Sequence, residues 1–306
     1  MPMPDASPDL SVELCGLTLS NPVIAASGCF GFGEEILPFY HPSRLGGIST
    51  KGLTLRPRQG NGGIRLHETR AGLMNSIGLQ NPGVAAFVQT ILPRIRGLTP
   101  CLIANVGGHE IADFVEAVGM VAAADVDMIE LNISCPNIKC GGQAFGNRAG
   151  DAASVVRAVR PVCGKPLMVK LSPNADDLVG VALACEEAGA DALSLVNTFN
   201  ALAIDVHARR AVFDNVTAGL SGPAILPIAL RMTRDVARAV KIPVVGMGGI
   251  ETGEDVAAFI MAGARAVQVG TAGLVRPDAL PVIVEELARF MAAEGIANLA
   301  QIRGIV

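Results

Sequence analysis

Cys135 is the residue whose neighbours best equip it to react. It follows the apolar run Met128–Ile133 and Ser134, and Pro136 behind it has no N–H with which to continue a strand ladder. Gly141, Gly142 and Gly146 come next, around Lys139, Cys140, Gln143 and Phe145. A thiol on the lip of a strand, followed by a glycine-hinged loop, suits a reactive group under a lid. Alone, it reads more simply as one of the small buried hydrophobes that most free cysteines are. Other residues change that balance. Lys51 and Lys170 stand at the ends of apolar runs, and lysine is rarely buried without a partner. Asn105, Asn132 and Asn197 stand at similar ends and offer donor and acceptor together, which suits a planar heterocycle with carbonyl and N–H edges. Gly222, Gly248-Gly249 and Gly270-Thr271 follow three later runs, where backbone N–H groups could approach a phosphate without an intervening side chain.

The elements that must hold these groups recur in a regular order. A short hairpin is expected over Val12 to Leu19. Strand-like apolar runs then span Pro22–Ser27, Gly47–Lys51, Cys101–Val106, Asp127–Ser134, Pro166–Ser172, Ala192–Thr198, Ile242–Gly246 and Ala266–Gly270. Helical patterns follow them at Glu34–Tyr40, Gly83–Ile95, Ile111–Ala124, Ala152–Val162, Asp176–Ala188, Ala224–Val240, Glu254–Met261 and Ala279–Ala293. Eight strand–helix units predict an α/β fold, a (β/α)8 TIM barrel, as one domain over residues 1–306. All eight tips end in a polar group or glycine, and in a barrel they converge on one mouth. Three overlong connections, Gly52–Gln80, Pro136–Gly150 and Asn200–Gly222, leave that same C-terminal face and are expected to be lids.

Composition narrows the function. Half the residues are hydrophobic and 17% are charged, which supplies a large core. Net charge is −4 with no basic run, which argues against nucleic acid. Seven cysteines without a C-x-x-C pair indicate neither a disulfide framework nor a metal site, and fit a reducing cytoplasm. Residues Met1 to Leu10 lack the features of a signal peptide, and no apolar run reaches ~18 residues, so no membrane span is expected. No Gly-x-Gly-x-x-Gly follows a strand, so a Rossmann-type NAD site is not supported. A phosphate site, amide-bearing tips and a nearby thiol together suggest FMN with a small cyclic substrate. A lysine near the N1/O2 edge of such a flavin would stabilise the anion formed on reduction.

With these residues in view, the sequence closely resembles the class 1 dihydroorotate dehydrogenases over nearly its whole length. The resemblance is carried by Ser49-Thr50-Lys51-Gly52, Asn75-Ser76-Ile77-Gly78-Leu79-Gln80-Asn81-Pro82-Gly83 and Asn132-Ile133-Ser134-Cys135-Pro136-Asn137. It continues through Val169-Lys170-Leu171-Ser172-Pro173, Asn197-Thr198, Gly219-Leu220-Ser221-Gly222-Pro223, Gly246-Met247-Gly248-Gly249-Ile250 and Val269-Gly270-Thr271. The run Lys139 to Gly146 resembles the NAD-linked subgroup, class 1B. Class 2 enzymes carry serine where Cys135 stands, and a membrane-associating N-terminal extension.

The resemblance implies oxidation of dihydroorotate to orotate in pyrimidine biosynthesis. Cys135 would take the C5 proton while hydride leaves C6 for FMN. Substrate would be held by Lys51, Asn75, Ser76, Ile77, Gly78, Leu79, Asn132, Asn197 and Thr198. FMN would be held by Ser27, Thr50, Lys51, Asn105, Asn132, Lys170, Val196, Gly222, Gly248, Gly249, Gly270 and Thr271. The subgroup implies a partner subunit carrying FAD and an iron–sulfur cluster that passes electrons to NAD, and a homodimer within a heterotetramer. Cys140 stands either as an inert residue or as an oxidation partner of Cys135. Competing readings are a dihydropyrimidine dehydrogenase-like FMN enzyme, a phosphate-binding barrel lyase without flavin using Lys51 or Lys170, and a non-catalytic nucleotide binder.

Overall fold

The computed structural model describes residues 7–134 and 145–306. Its first elements are the antiparallel strands β1 (Val12–Leu14) and β2 (Leu17–Leu19). Cys15 and Gly16 turn between them with φ +52° and +81°, the left-handed pair that a two-residue hairpin requires. Cys15 Sγ donates to the carbonyl of Asp191, just ahead of a barrel strand, so the hairpin covers the N-terminal face opposite the mouth.

Eight short runs, buried on both sides, form a closed parallel barrel. They are β3 (Val23–Ala25), β4 (Gly47–Ser49), β7 (Leu102–Val106), β8 (Met128–Asn132), β9 (Leu167–Lys170), β10 (Ala192–Leu195), β15 (Val244–Met247) and β16 (Ala266–Val269). Each pairs with the next, and β16 closes on β3. Burial on both faces explains why these runs read as continuous apolar stretches rather than alternating ones. The (β/α)8 barrel is therefore the fold of this chain.

Helices cover the outside, and their ends follow local chemistry. Asp177 caps Leu178–Glu187 by accepting from Gly180 N. Thr252 and Asp255 form a reciprocal capping box at the start of Gly253–Met261. Gly189 and Gly263 leave helices at φ +104° and +107°, as a C-terminal glycine should.

Three outer elements depart from the expected pattern. Only a single 3₁₀ turn, Glu34–Ile36, stands where Glu34–Tyr40 reads as a helix, because Pro38 blocks continuation after too few residues for a helical nucleus. The Gly83–Ile95 helix is interrupted by a π-helical turn over Phe87–Ile91. A short helix, Thr271–Val275, precedes Ala279–Ala293.

Two of the expected lids are instead joined in a sheet. The connection after β4 folds into β5 (Leu66–Thr69) and β6 (Gly72–Asn75). The connection after β10 folds into β11 (Phe199–Leu202) and β14 (Thr217–Ser221). They make one antiparallel sheet in the order β11-β14-β6-β5. A smaller hairpin, β12 (Ile204–Asp205) with β13 (Arg210–Ala211), extends the same connection. Each connection supplies the other with ladder partners, so neither is a structureless loop.

Candidate active site

A cleft opens where β3, β9, β10, β15 and β16 end. Its wall includes Ser27, Lys170, Val196, Asn197, Thr198, Gly222, Gly248, Gly249, Gly270 and Thr271. The fold thus brings together both the glycine-bearing tips and part of the amide-bearing set. Cys29, Met247, Gln268 and Glu251 also face it.

The glycine side is held by close backbone packing. Gly249 sits at φ +79°, and a Cβ there would stand 2.8 Å from the backbone N of Leu226. Gly222 sits at φ +95°, with Gly72 Cα 2.8 Å from its would-be Cβ. Any other residue at these positions would be both strained and obstructed. Thr271 Oγ1 donates to Ser221 Oγ at 2.9 Å, which in turn donates to the Leu73 carbonyl. The antiparallel sheet is fastened to this rim of the mouth.

The amide side is held by side-chain hydrogen bonds around a buried charge. Glu130, in β8, is fully buried. One carboxylate oxygen accepts from Ser49 Oγ at 2.7 Å and Asn105 Nδ2 at 2.6 Å. The other accepts from Ser194 Oγ at 2.7 Å and Gln268 Nε2 at 2.6 Å. Burial alone would push this carboxyl up, but the Lys170 charge and the hydrogen bonds from Ser49, Ser194 and Asn105 outweigh it, and its pKa is lowered. Asn132 Nδ2 reaches Asn105 Oδ1 at 3.4 Å. Ser134 Oγ donates to Asn132 Oδ1 at 2.7 Å and accepts from Asn197 Nδ2 at 2.7 Å.

The remaining candidates lie around the cleft. Thr50 is fully buried at the tip of β4, where its hydroxyl accepts from the Asn105 N–H. Lys51 follows it, half-buried, and burial lowers its pKa. Asn75 ends β6 and donates to the Gly219 carbonyl at 3.4 Å, on the antiparallel sheet. Ser76 is buried and receives amide hydrogen bonds from Asn61 and Asn215. Ile77, Gly78 and Leu79 form a bend in which Gly78 and Leu79 have φ +76° and +55°. Asn81 holds that bend by donating to the Leu79 carbonyl at 2.7 Å, a role its place in a shared motif did not single out. Cys135, Cys140 and the Pro136–Ala144 part of the third expected lid lie outside the described residues.

Two observations bear on a flavin nucleotide. Lys170 is buried against the cleft and takes no part in the ion pairs formed by the described residues. Gln268 Oε1 is buried without a hydrogen-bond partner, and Gln268 lines the same cleft. A buried cation and an orphaned acceptor, beside glycine turns at three strand ends, fit a ligand with anionic and hydrogen-bond-donating groups such as FMN. Among the described residues no cluster of histidine, cysteine and carboxylate side chains could hold a metal ion, and no helix is long and apolar enough to cross a membrane.

Sequence reasoning missed Glu130, Gln268 and Ser194. Each lies inside an apolar strand, and only barrel closure shows that these isolated polar positions meet.

The family model for dihydroorotate dehydrogenase matches residues 9–291. A protein of Petrotoga mobilis is 55% identical over 298 residues, covering 97% of this chain and 99% of the relative. One of Geobacter sulfurreducens is 50% identical over 298 residues, covering 97% and 98%. One of Bacillus pumilus is 47% identical over 296 residues, covering 96% of each. All three bear the name dihydroorotate dehydrogenase B (NAD(+)), catalytic subunit.

Proposed function

This chain belongs to the dihydroorotate dehydrogenase family, on its NAD-linked class 1B branch, and we propose that it is the FMN-bearing catalytic subunit that oxidises dihydroorotate to orotate in pyrimidine biosynthesis. The observation that carries the cofactor assignment is the buried Lys170 ammonium at a cleft whose far rim is built from glycine turns. FMN bound there supplies the hydride acceptor for C6 of the substrate. Thr271, Gly248, Gly249 and Gly270 would hold its phosphate end, and Lys170, Asn105 and Asn132 its ring.

Dihydroorotate is a ring with carbonyl and N–H edges and one carboxylate. Asn132 and Asn197, tied together through Ser134, would read the ring edge. Lys51, with the bend at Asn75 to Leu79, would take the carboxylate, and this separates the substrate from a neutral dihydropyrimidine. Cys135 would remove the proton from C5 as the hydride leaves C6. The relatives' names contain NAD(+) and "catalytic subunit", which supports an electron-transfer partner. We assign that partner the FAD and iron–sulfur cluster, and place the assembly in the cytoplasm as a homodimer within a heterotetramer.

A free thiol has pKa near ~8.5, so only a few per cent is thiolate at neutral pH. Flavin reduction should therefore accelerate as pH rises through the Cys135 pKa. Cys135→Ala should retain FMN and slow reduction by dihydroorotate roughly 10²–10⁴-fold, the usual contribution of a positioned base. Stopped-flow bleaching of the flavin in that variant at the wild-type rate would refute the assignment. Purified protein without flavin absorption would refute the cofactor.

A further inference from the structure

Glu130 touches no reacting atom in the scheme above, yet with Lys170 it is one of the two charged side chains buried in the core among the described residues. A buried carboxylate costs several kcal/mol unless it is paired and hydrogen-bonded. Its four donors come from β4, β7, β10 and β16, so one simple role would be to hold the barrel closed. A packed apolar layer would do that at no loss of stability. What an apolar layer could not do is impose direction on the amides above it.

An ionised carboxylate only accepts hydrogen bonds. Asn105 must therefore turn its NH2 to Glu130, which leaves Oδ1 to accept from Asn132. Asn132 then presents its own Oδ1 to the hydroxyl and the backbone N–H of Ser134. The Ser134 hydroxyl has given its proton, so its oxygen accepts from Asn197 Nδ2. Asn197 Oδ1 in turn takes the N–H of Thr198. On the other carboxylate oxygen the same rule turns the Gln268 NH2 inward and leaves Oε1 as a buried acceptor beside the cleft.

We propose that Glu130 is a positioning residue whose charge sets one hydrogen-bond direction through Asn105, Asn132, Ser134 and Asn197, and holds Gln268 Oε1 as an acceptor for a donor on the bound ligand. The inference rests on the flavin and dihydroorotate reading of this cleft. In Glu130→Gln a new NH2 faces groups that already donate, so at least one amide must reverse. Glu130→Asp keeps an acceptor-only charge one methylene further away.

The test titrates flavin-loaded protein with orotate, following flavin absorption, and measures the midpoint potential of the bound flavin in wild type and both variants. Glu130→Gln is expected to bind orotate about tenfold more weakly, the scale of one hydrogen bond involving a charged group, and to shift the potential upward because a negative charge is lost. Glu130→Asp is expected to recover most of the affinity. A Gln variant with wild-type affinity and potential overturns the proposal. Equal losses in both variants overturn it too, because packing rather than charge then governs. If the Gln variant does not accumulate as folded protein, the Asp variant decides: near-wild-type affinity supports the proposal, and a tenfold loss overturns it. A wild-type flavin spectrum indifferent to orotate would sink the substrate reading instead, and the shift in potential would still test Glu130.

Discussion

The two sides of the mouth are built by different means. On the β7–β10 side, side chains meet one another around the buried Glu130 carboxylate, and their geometry is a matter of charge and hydrogen-bond direction. On the β15–β16 side, Gly222 and Gly249 let backbone pass backbone within a few ångströms, and geometry is a matter of missing side chains. The amide side can therefore recognise the edge of a ring, because it offers donors and acceptors in fixed order. The glycine side can approach a phosphate closely but discriminates little beyond its charge and size. A change on the first side should alter what is recognised, and a change on the second should alter whether the cofactor stays.

Lys170→Met gives the largest expected effect, because it removes the cation that offsets Glu130. The two form no direct ion pair, but leaving the buried carboxylate without its nearby cation should cost about 3 kcal/mol at neutral pH, the scale for an uncompensated buried charge. The sign with pH follows from Glu130. Its lowered pKa in the wild type contributes stability above the unfolded carboxylate pKa near ~4.3, and that contribution disappears as pH falls through the folded value. Without Lys170 the folded pKa rises, so the variant's deficit should narrow on acidification from pH 7 toward 4.5. Urea unfolding at both values checks this, and a deficit that widens in acid would remove Lys170 from the charge balance. Gly249→Ala should cost less, about 2 kcal/mol, from positive φ and from overlap with the Leu226 backbone. It should also release flavin on gel filtration, whereas Lys170→Met should chiefly change flavin potential. Flavin retained by Gly249→Ala at wild-type occupancy would erase the distinction between the two sides.

Much of this was legible before folding was considered, and the reasons differ by region. The eight strands announce themselves because burial on both faces demands uninterrupted apolar runs such as Leu102–Val106. The antiparallel sheet is illegible because Leu66-His67-Glu68-Thr69 is too short and too polar to read as a strand until β6 pairs with it. The glycine rim could be read from local spacing. Glu130 could not, since its meaning depends on Ser49, Asn105, Ser194 and Gln268, which lie up to 138 positions away. Cys135 is legible only through its motif, and the described residues begin again ten positions beyond it, at Phe145.

The smallest effect is expected where the two constructions meet, at Ser221. Its hydroxyl accepts from Thr271 and donates to the Leu73 carbonyl, so it links the glycine rim to the sheet. Neither Ser221 nor Thr271 is fully buried, so water can replace the lost partner after Ser221→Ala. The net cost should be about 1 kcal/mol, as for an ordinary neutral hydrogen bond, with flavin retained and the potential unmoved. The readouts are thermal unfolding of the loaded protein and flavin occupancy after dialysis. If Ser221→Ala releases flavin as readily as Gly249→Ala, the rim depends on side-chain hydrogen bonds as the amide side does. Close backbone approach would then not be what distinguishes it.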